Sequence, residues 1–353
     1  MNKRRLKTIF TMLSMTAVIS VCMVMVIYRA SGCLPLADDA ALIAGRLSFI
    51  NGSAYAAYTE ESTQAPAAAR PLADTPTEAE NTAEHPKNTT HTGDSLPVEE
   101  LYVGNGNMSF DNISVRNTTD YDLDIESVLR SDLPFSVENN HSVQVLVYHT
   151  HSCESYMTED TGEYYDDFYP RSTDGDQGVM AVGEKLVEVL KEHGIGAIHD
   201  TTLHDYPSYE GSYARSWETI EGYREKYPDI KVTIDLHRDS MTAQDGTKYK
   251  PTFTHDGYKA AQIMIMSGYD TSGYFDFWDE NLIFALKLQK KCEDMYPDMT
   301  RPLSFGEYTY NMNFNNGSLL IEVGTDANTV DEACRSGAYL GEALASVLKD
   351  NYS

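Results

Sequence analysis

The order of strand-like and helix-like segments predicts an α/β protein: a three-layer sandwich whose mostly parallel, twisted sheet is covered by helices. Three observations predict it. Apolar runs at Val143–Val147, Lys231–Leu236 and Ser318–Val323 have the length and β-branched content of buried strands. Longer segments between them repeat their apolar residues at helical spacing, and strand–helix–strand order calls for right-handed crossovers between parallel neighbours. Each of the three runs also ends in ionisable side chains, at the carboxyl edge where open α/β sheets bind ligands.

At the amino end, the basic tip NKRRLK precedes an almost unbroken apolar run from Ile9 to Tyr28. About 20 such residues cross a bilayer as a helix, and the cations before it hold that end on the cytoplasmic side. Residues 1–30 are therefore expected to be a cytoplasmic tip and a transmembrane anchor, favoured over a cleaved signal peptide, whose apolar core is shorter at about 7–15 residues. Residues 31–104 turn to Ala, Thr, Glu, Pro and Ser. So few large apolar side chains cannot offset the entropy of ordering, and a disordered extracytoplasmic linker is expected there, with His85 and His91 solvated. The catalytic α/β domain is expected over 105–353.

Within it, FDNISVRN and DIESVLRSDLPF read as a strand and a small helix leading into the first buried strand. The tyrosine-rich segment Glu159 to Gln177 is a loop long enough to shape a cleft mouth. Val179, Val182, Leu186, Val189 and Leu190 then mark one face of a helix ending at Gly194. A short strand at Ala197–His199 follows, then a helix from Ser212 to Tyr227 stopped by Pro228, and the strand Lys231–Leu236. Ala261–Gly268 reads as a further buried strand, Trp278–Met295 as a helix, Ser318–Val323 as a strand and Thr329–Lys349 as the final helix. No internal repeat is visible.

The ionisable residues at the strand ends are His149, His151 and Glu154 in YHTHSCESY, His237 in IDLHRDS, and Glu322 in SLLIEVG. Imidazole nitrogen and carboxylate oxygen are the donors a catalytic zinc takes, with three protein ligands and one open position. The pattern reads as a hydrolytic metal centre. His149 and His151 would share a face if the strand ran through both; if it stops at Tyr148, the turn presents one of them. Glu154 is either a ligand or the cap of a following turn. Glu322 follows Leu319, Leu320 and Ile321, and a carboxylate buried there must be paired, metal-bound or catalytic. Arg238 offers a planar fork to a substrate carboxylate, or an ion pair to Asp239.

Acidic side chains number 54 against 27 basic, a net charge of -27, which repels phosphate backbones and argues against a nucleic-acid partner. The five cysteines show no CxxC pair, so neither a disulfide framework nor a thiolate zinc site is expected. Cys153, inside HTHSCES, is either a packing residue or a thiol activated by its histidine neighbours.

The blocks YHTHSCESY, IDLHRDS and SLLIEVGTDANTVDEA, in that order, resemble the stage II sporulation protein P family of membrane-anchored cell-wall hydrolases from endospore-forming bacteria. The resemblance covers roughly Phe110 to the C-terminus. It implies an N-acetylmuramoyl-L-alanine amidase-like fold and zinc-dependent amidase and endopeptidase action on peptidoglycan during forespore engulfment. The implied location is the cell membrane, with the catalytic domain between the mother-cell and forespore membranes. It also implies two partners, stage II sporulation protein D and stage II sporulation protein M.

Carried over by residue, it makes His151 and His237 the zinc histidines and Glu322 the catalytic glutamate. The middle glutamate ligand usually precedes the helix after the first strand, where this chain has Gly175 and Asp176, and Glu154 is the candidate in its place. Cys153 stands where threonine is more familiar, and Met312 where glutamine is, but neither departure removes a ligand. Two other readings use the same residues. A zinc carboxypeptidase or esterase would prefer small peptides to intact sacculi. A non-catalytic wall-binding scaffold would keep its cellular role after His237→Ala and Glu322→Gln.

Overall fold

The computed structural model describes residues 93–352. Eight strands form one mixed sheet. From edge to edge these are β2 (Met108–Phe110), β3 (Ile113–Asn117), β11 (Leu303–Gly306), β10 (Ile263–Gly268), β12 (Ser318–Thr325), β7 (Val232–Asp239), β4 (Val143–Tyr148) and β6 (Gly196–His199). Five of its seven neighbouring pairs are parallel; β10 runs against β12 and β2 against β3. A second sheet of four strands has the order β5 (Glu163–Tyr165), β1 (Ser95–Leu101), β8 (Lys248–His255) and β9 (Tyr258–Ala261). The helices are α1 (Ile125–Arg130), α2 (Val179–Glu192), α3 (Ser212–Lys226), α4 (Trp278–Met295) and α5 (Val330–Lys349).

The two faces of the large sheet follow from the two-residue period of a strand. Val145 and Val147 of β4, Val232, Ile234 and Leu236 of β7, and Leu319, Ile321 and Val323 of β12 all point into one core, which α2, α4 and α5 close. Leu146 and Tyr148 point the other way and meet Ile220 of α3, while Leu320 meets Phe275 and Met312. The expected α/β sandwich, with helices on both faces of a mostly parallel sheet, is what these residues build. Period two also assigns Asp235, His237 and Glu322 to the α3 face, opposite the main apolar core.

Some expected boundaries move. The end of the segment expected to be a linker is folded, because β1 pairs with β5 and β8 through Ser95–Leu101; the expected anchor and the rest of the linker lie outside the described residues. No helix of the described residues is long and apolar enough to cross a membrane. The single strand expected over Ala261–Gly268 is two, β9 and β10, belonging to different sheets. The break is Gln262, whose buried side chain accepts from Val103 N–H at 2.8 Å and donates to the Asp298 carbonyl at 3.0 Å.

Helix α5 starts with a capping box: Thr329 accepts the Glu332 N–H at 3.2 Å, and Glu332 accepts the Thr329 N–H at 3.0 Å. It then packs along α2 through Gly337 and Gly341. A Cβ on Gly337 would stand 2.8 Å from the Val182 carbonyl oxygen, and one on Gly341 would stand 2.9 Å from Val189 Cβ. Alanine in a helix interior normally gains about 1 kcal/mol over glycine. Overpacking against a helix backbone that cannot turn aside costs typically ~1–3 kcal/mol. Gly337→Ala is therefore expected to lower the thermal unfolding midpoint; an unchanged or raised midpoint would mean that the two helices separate freely.

Candidate metal centre

Strand β4 stops at Tyr148, and the chain turns at once. Thr150 gives both its N–H (2.8 Å) and its hydroxyl (2.6 Å) to the Asp235 carboxylate on the neighbouring strand. One turn further, the Glu154 N–H donates to the His151 carbonyl at 3.1 Å, which brings these two side chains to the same side. Asp205 holds the turn from outside, accepting from Ser152 Oγ and from Cys153 N–H, each at 3.1 Å. The sequence HTHSCE thus folds as a tight presentation turn with both ends tied to buried carboxylates.

Three side chains meet there. His151 Nδ1 lies 3.4 Å from Glu154 Oε1, and His237 Nδ1 lies 3.4 Å from Glu154 Oε2. These gaps are longer than an N–H···O hydrogen bond of roughly 2.7–3.2 Å. They match the ~3.3–3.6 Å that separates donors around a tetrahedral zinc held at about 2.0–2.2 Å. One donor atom from each of His151, Glu154 and His237 lies within 4.8 Å of the others, so the residues present fit a divalent cation. On the far side of His237, Nε2 is 2.9 Å from Asp235 Oδ1, a charge contact without the alignment of a hydrogen bond.

Charge balance points the same way. Burial opposes ionisation of Glu154, but His151, His237 and Arg238 outweigh it and hold the carboxyl well below the usual range. Burial likewise opposes a charge on His237, and Asp235 with Glu154 lifts it well above the ordinary imidazole value. The carboxylates around this point call for a positive charge.

Glu322 stands beside the cluster, directly opposite His237 in the register of β12 against β7. It is 6% exposed, and its Oε2 has no hydrogen-bond partner. Burial raises it to about 8; the Asp239 and Glu154 carboxylates add to the rise, while His237 and Arg301 offset it. An unpaired, proton-hungry carboxyl next to a cation site has the character of a general base.

Two expected candidates are turned elsewhere. His149 shares the parity of Val145 and Val147, so it faces α2. There its Nδ1–H donates to the Leu236 carbonyl at 2.8 Å, and its Nε2 meets His199 Nε2 at 2.9 Å. Burial pushes it down to about 3 and keeps it neutral. Arg238 neighbours His237 in the strand and so points away from it, and its fork is taken up by the carbonyls of Ser155, Pro170 and Asp239. It is not open to a substrate carboxylate, nor does it pair with the Asp239 carboxylate, which binds Arg301 at 2.8 Å instead. Its N–H does help the site, donating to Glu154 Oε2 at 3.1 Å.

Asp176 is exposed on the turn before α2 and takes no part in the cluster. Cys153 is 2% exposed, and burial, followed by Asp205, pushes its thiol up to about 12, so it is a packing residue and not a nucleophile. Asp235 is a site residue with a signal in the sequence: it lies two residues before His237 in an apolar strand, hence on the same face. The aromatic wall was not legible. Tyr209 stacks on His151 at 4.5 Å between ring centres, Tyr213 meets it edge-on at 5.5 Å, and Tyr310 stacks on Tyr213 at 5.6 Å. Tyr310 and Asn311 adopt left-handed backbone (φ 39° and 58°), a conformation that costs a non-glycine residue and recurs at functional sites.

Fold and site together define an α/β protein with a His–Glu–His cluster at the carboxyl edge of its sheet that can hold a divalent cation. The model of the stage II sporulation protein P family matches residues 44–345, and the chain belongs to that family. It is 28% identical over 219 residues to stage II sporulation protein P of Bacillus subtilis (strain 168), a match covering 59% of this chain and 51% of that protein. The chain thus spans about half the length of this curated relative.

Among solved structures it is similar to an N-acetylmuramoyl-L-alanine amidase from Clostridium difficile 630. That match has 13% identity, 60% of this chain, 97% of the other and a TM-score of 0.36. It is also similar to the N-acetylmuramoyl-L-alanine amidase AmiC2 of Nostoc punctiforme, with 14% identity, 59% and 96% coverage and a TM-score of 0.34.

Proposed function

We propose that this chain is a zinc-dependent peptidoglycan hydrolase of sporulation, an N-acetylmuramoyl-L-alanine amidase that also cuts within stem peptides. The observation that carries the reading is the three-donor cluster of His151, Glu154 and His237, with Glu322 in register beside it. Family membership supports the wall as substrate and sporulation as setting. In this reading residues 1–30 are a membrane anchor, and the catalytic domain works outside the cytoplasm.

His151, Glu154 and His237 would hold the ion, while Asp235 fixes the turn that presents His151 and sets its negative charge against the ring of His237. A bound zinc ion supplies an acidified water and polarises the amide carbonyl. Glu322, through its unpartnered Oε2, would take a proton from the attacking water and return it to the departing amine. Positive charge added nearby would lower the Glu322 carboxyl from about 8 and favour its ionised, proton-accepting form. The Tyr209–Tyr213–Tyr310 wall lines the His151 side of this exchange with aromatic surface.

The test is digestion of purified sacculi by the protein, with and without a chelator, and identification of the new ends by mass. Ends between the lactyl group and alanine are expected, lost with chelator and restored by zinc. Undiminished digestion after the ion is stripped would overturn the reading.

A further inference from the structure

An acidic peptide approaching this centre enters the field of four carboxylates, Asp235, Asp239, Glu154 and Glu322, three of them buried, on a chain whose net charge is -27. Some cation must offset them. Of the arginines nearest the centre, Arg238 is consumed by backbone carbonyls, and Arg301 is 3% exposed and held to Asp239. Arg171 differs. Its side chain is 23% exposed, while that of its ion-pair partner Asp205 is fully covered, so the pair shows its positive end to solvent.

Three ties fix that guanidinium in place. Its backbone is bridged to Glu154, with the Ser155 N–H donating to the Pro170 carbonyl at 3.1 Å and the Ser172 N–H to the Cys153 carbonyl at 2.7 Å. Its charge rests on Asp205, which already accepts from Ser152 and Cys153. Its plane lies over the ring of Tyr209, 4.9 Å from the centroid, and Tyr209 in turn stacks on His151 at 4.5 Å. A guanidinium carries five N–H donors in a rigid fork that matches a carboxylate. The two stacking contacts keep it within about 9 Å of the His151 ring, a span of two to three residues at roughly 3.3–3.6 Å each.

We propose that Arg171, seated on Asp205 and laid over Tyr209, forms a subsite for a peptide carboxylate two to three residues from the amide bond being cut. The inference rests on the hydrolase reading and adds its specificity: free-acid stem peptides are favoured over amidated ones. Tyr209 sets the height of the guanidinium above the ligand histidine, so the subsite and the centre are held at one spacing.

The experiment compares two synthetic N-acetylmuramoyl tripeptides, identical except that the side carboxyls of residues two and three are free in one and amidated in the other, as substrates of the zinc-loaded full chain. The wild-type protein is expected to favour the free acid by about tenfold or more in kcat/KM, the effect of one charge-assisted fork. In Arg171→Met that ratio is expected to collapse toward one, and Arg171→Lys is expected to retain part of it, since it keeps the charge and loses the fork. Binding of the same pair to Glu322→Gln gives the comparison without turnover. Equal cleavage and equal binding of the two peptides by the wild-type residue at position 171 would overturn this inference alone, and needs no Arg171 variant to fold. Cleavage of neither would take the hydrolase reading down with it.

Discussion

Glu322→Gln is expected to lower kcat on sacculi by about 10²–10⁴-fold, the usual share of a general acid–base group, with zinc content and fold retained. The amide keeps the volume and the hydrogen-bonding reach of the carboxyl but cannot take up a proton. Stability should not suffer with activity. Glu322 sits buried among the Asp239 and Glu154 carboxylates with one oxygen unpartnered, so its charge costs the folded state free energy. Replacing it by a neutral isostere is expected to leave the thermal midpoint unchanged or raise it. Activity assays and melting curves on the same preparation separate this outcome from misfolding. Full activity in a folded Glu322→Gln protein would assign proton transfer to another group.

The second large effect separates two histidines only two residues apart. His151→Ala removes one of three donors and is expected to weaken zinc binding by more than the ~10–100-fold that loss of a mere outer-shell partner costs. Elemental analysis after dialysis should find little metal. His149→Ala is expected to keep its metal and lose stability instead. It leaves the Leu236 carbonyl and the His199 ring without their buried partner, at about 1–3 kcal/mol for each unpaired group. The result that would sink this assignment is the reverse: a metal-free His149→Ala protein and a metal-loaded His151→Ala protein. The reason is parity. His149 continues the alternation of Val145 and Val147 toward α2, whereas His151 lies beyond the last strand residue, where the turn carries it round to the α3 face.

The same alternation keeps Arg238 from the substrate-facing role expected of it. Its neighbour His237 points into the site, so Arg238 points away from it, and its fork closes on three carbonyls of the presentation turn and its surroundings. An arginine beside a ligand histidine looks like a substrate contact only while the strand is read as a string. Arg171, which sits in a polar loop with no periodicity, gives no sign in the sequence of facing Glu154. Its position comes from a bridge between two turns.

Legible in the residues alone were the class of the fold, the order of its main strands and helices, and His151, Glu154, His237 and Glu322 as candidates that the fold brings together. Apolar periodicity is local, and a carboxylate or imidazole at the tip of a buried strand is conspicuous because burial without a partner is costly. Strand pairing decided the rest. That β12 lies in parallel register beside β7, setting Glu322 opposite His237, that β10 breaks from β9 at Gln262, and that Tyr209 covers His151 are facts about segments far apart in the chain. Such contacts depend on which edge each strand takes up and how each turn is tied down. Those choices are settled by the packing of the whole sheet against its helices, and by no stretch of residues read alone.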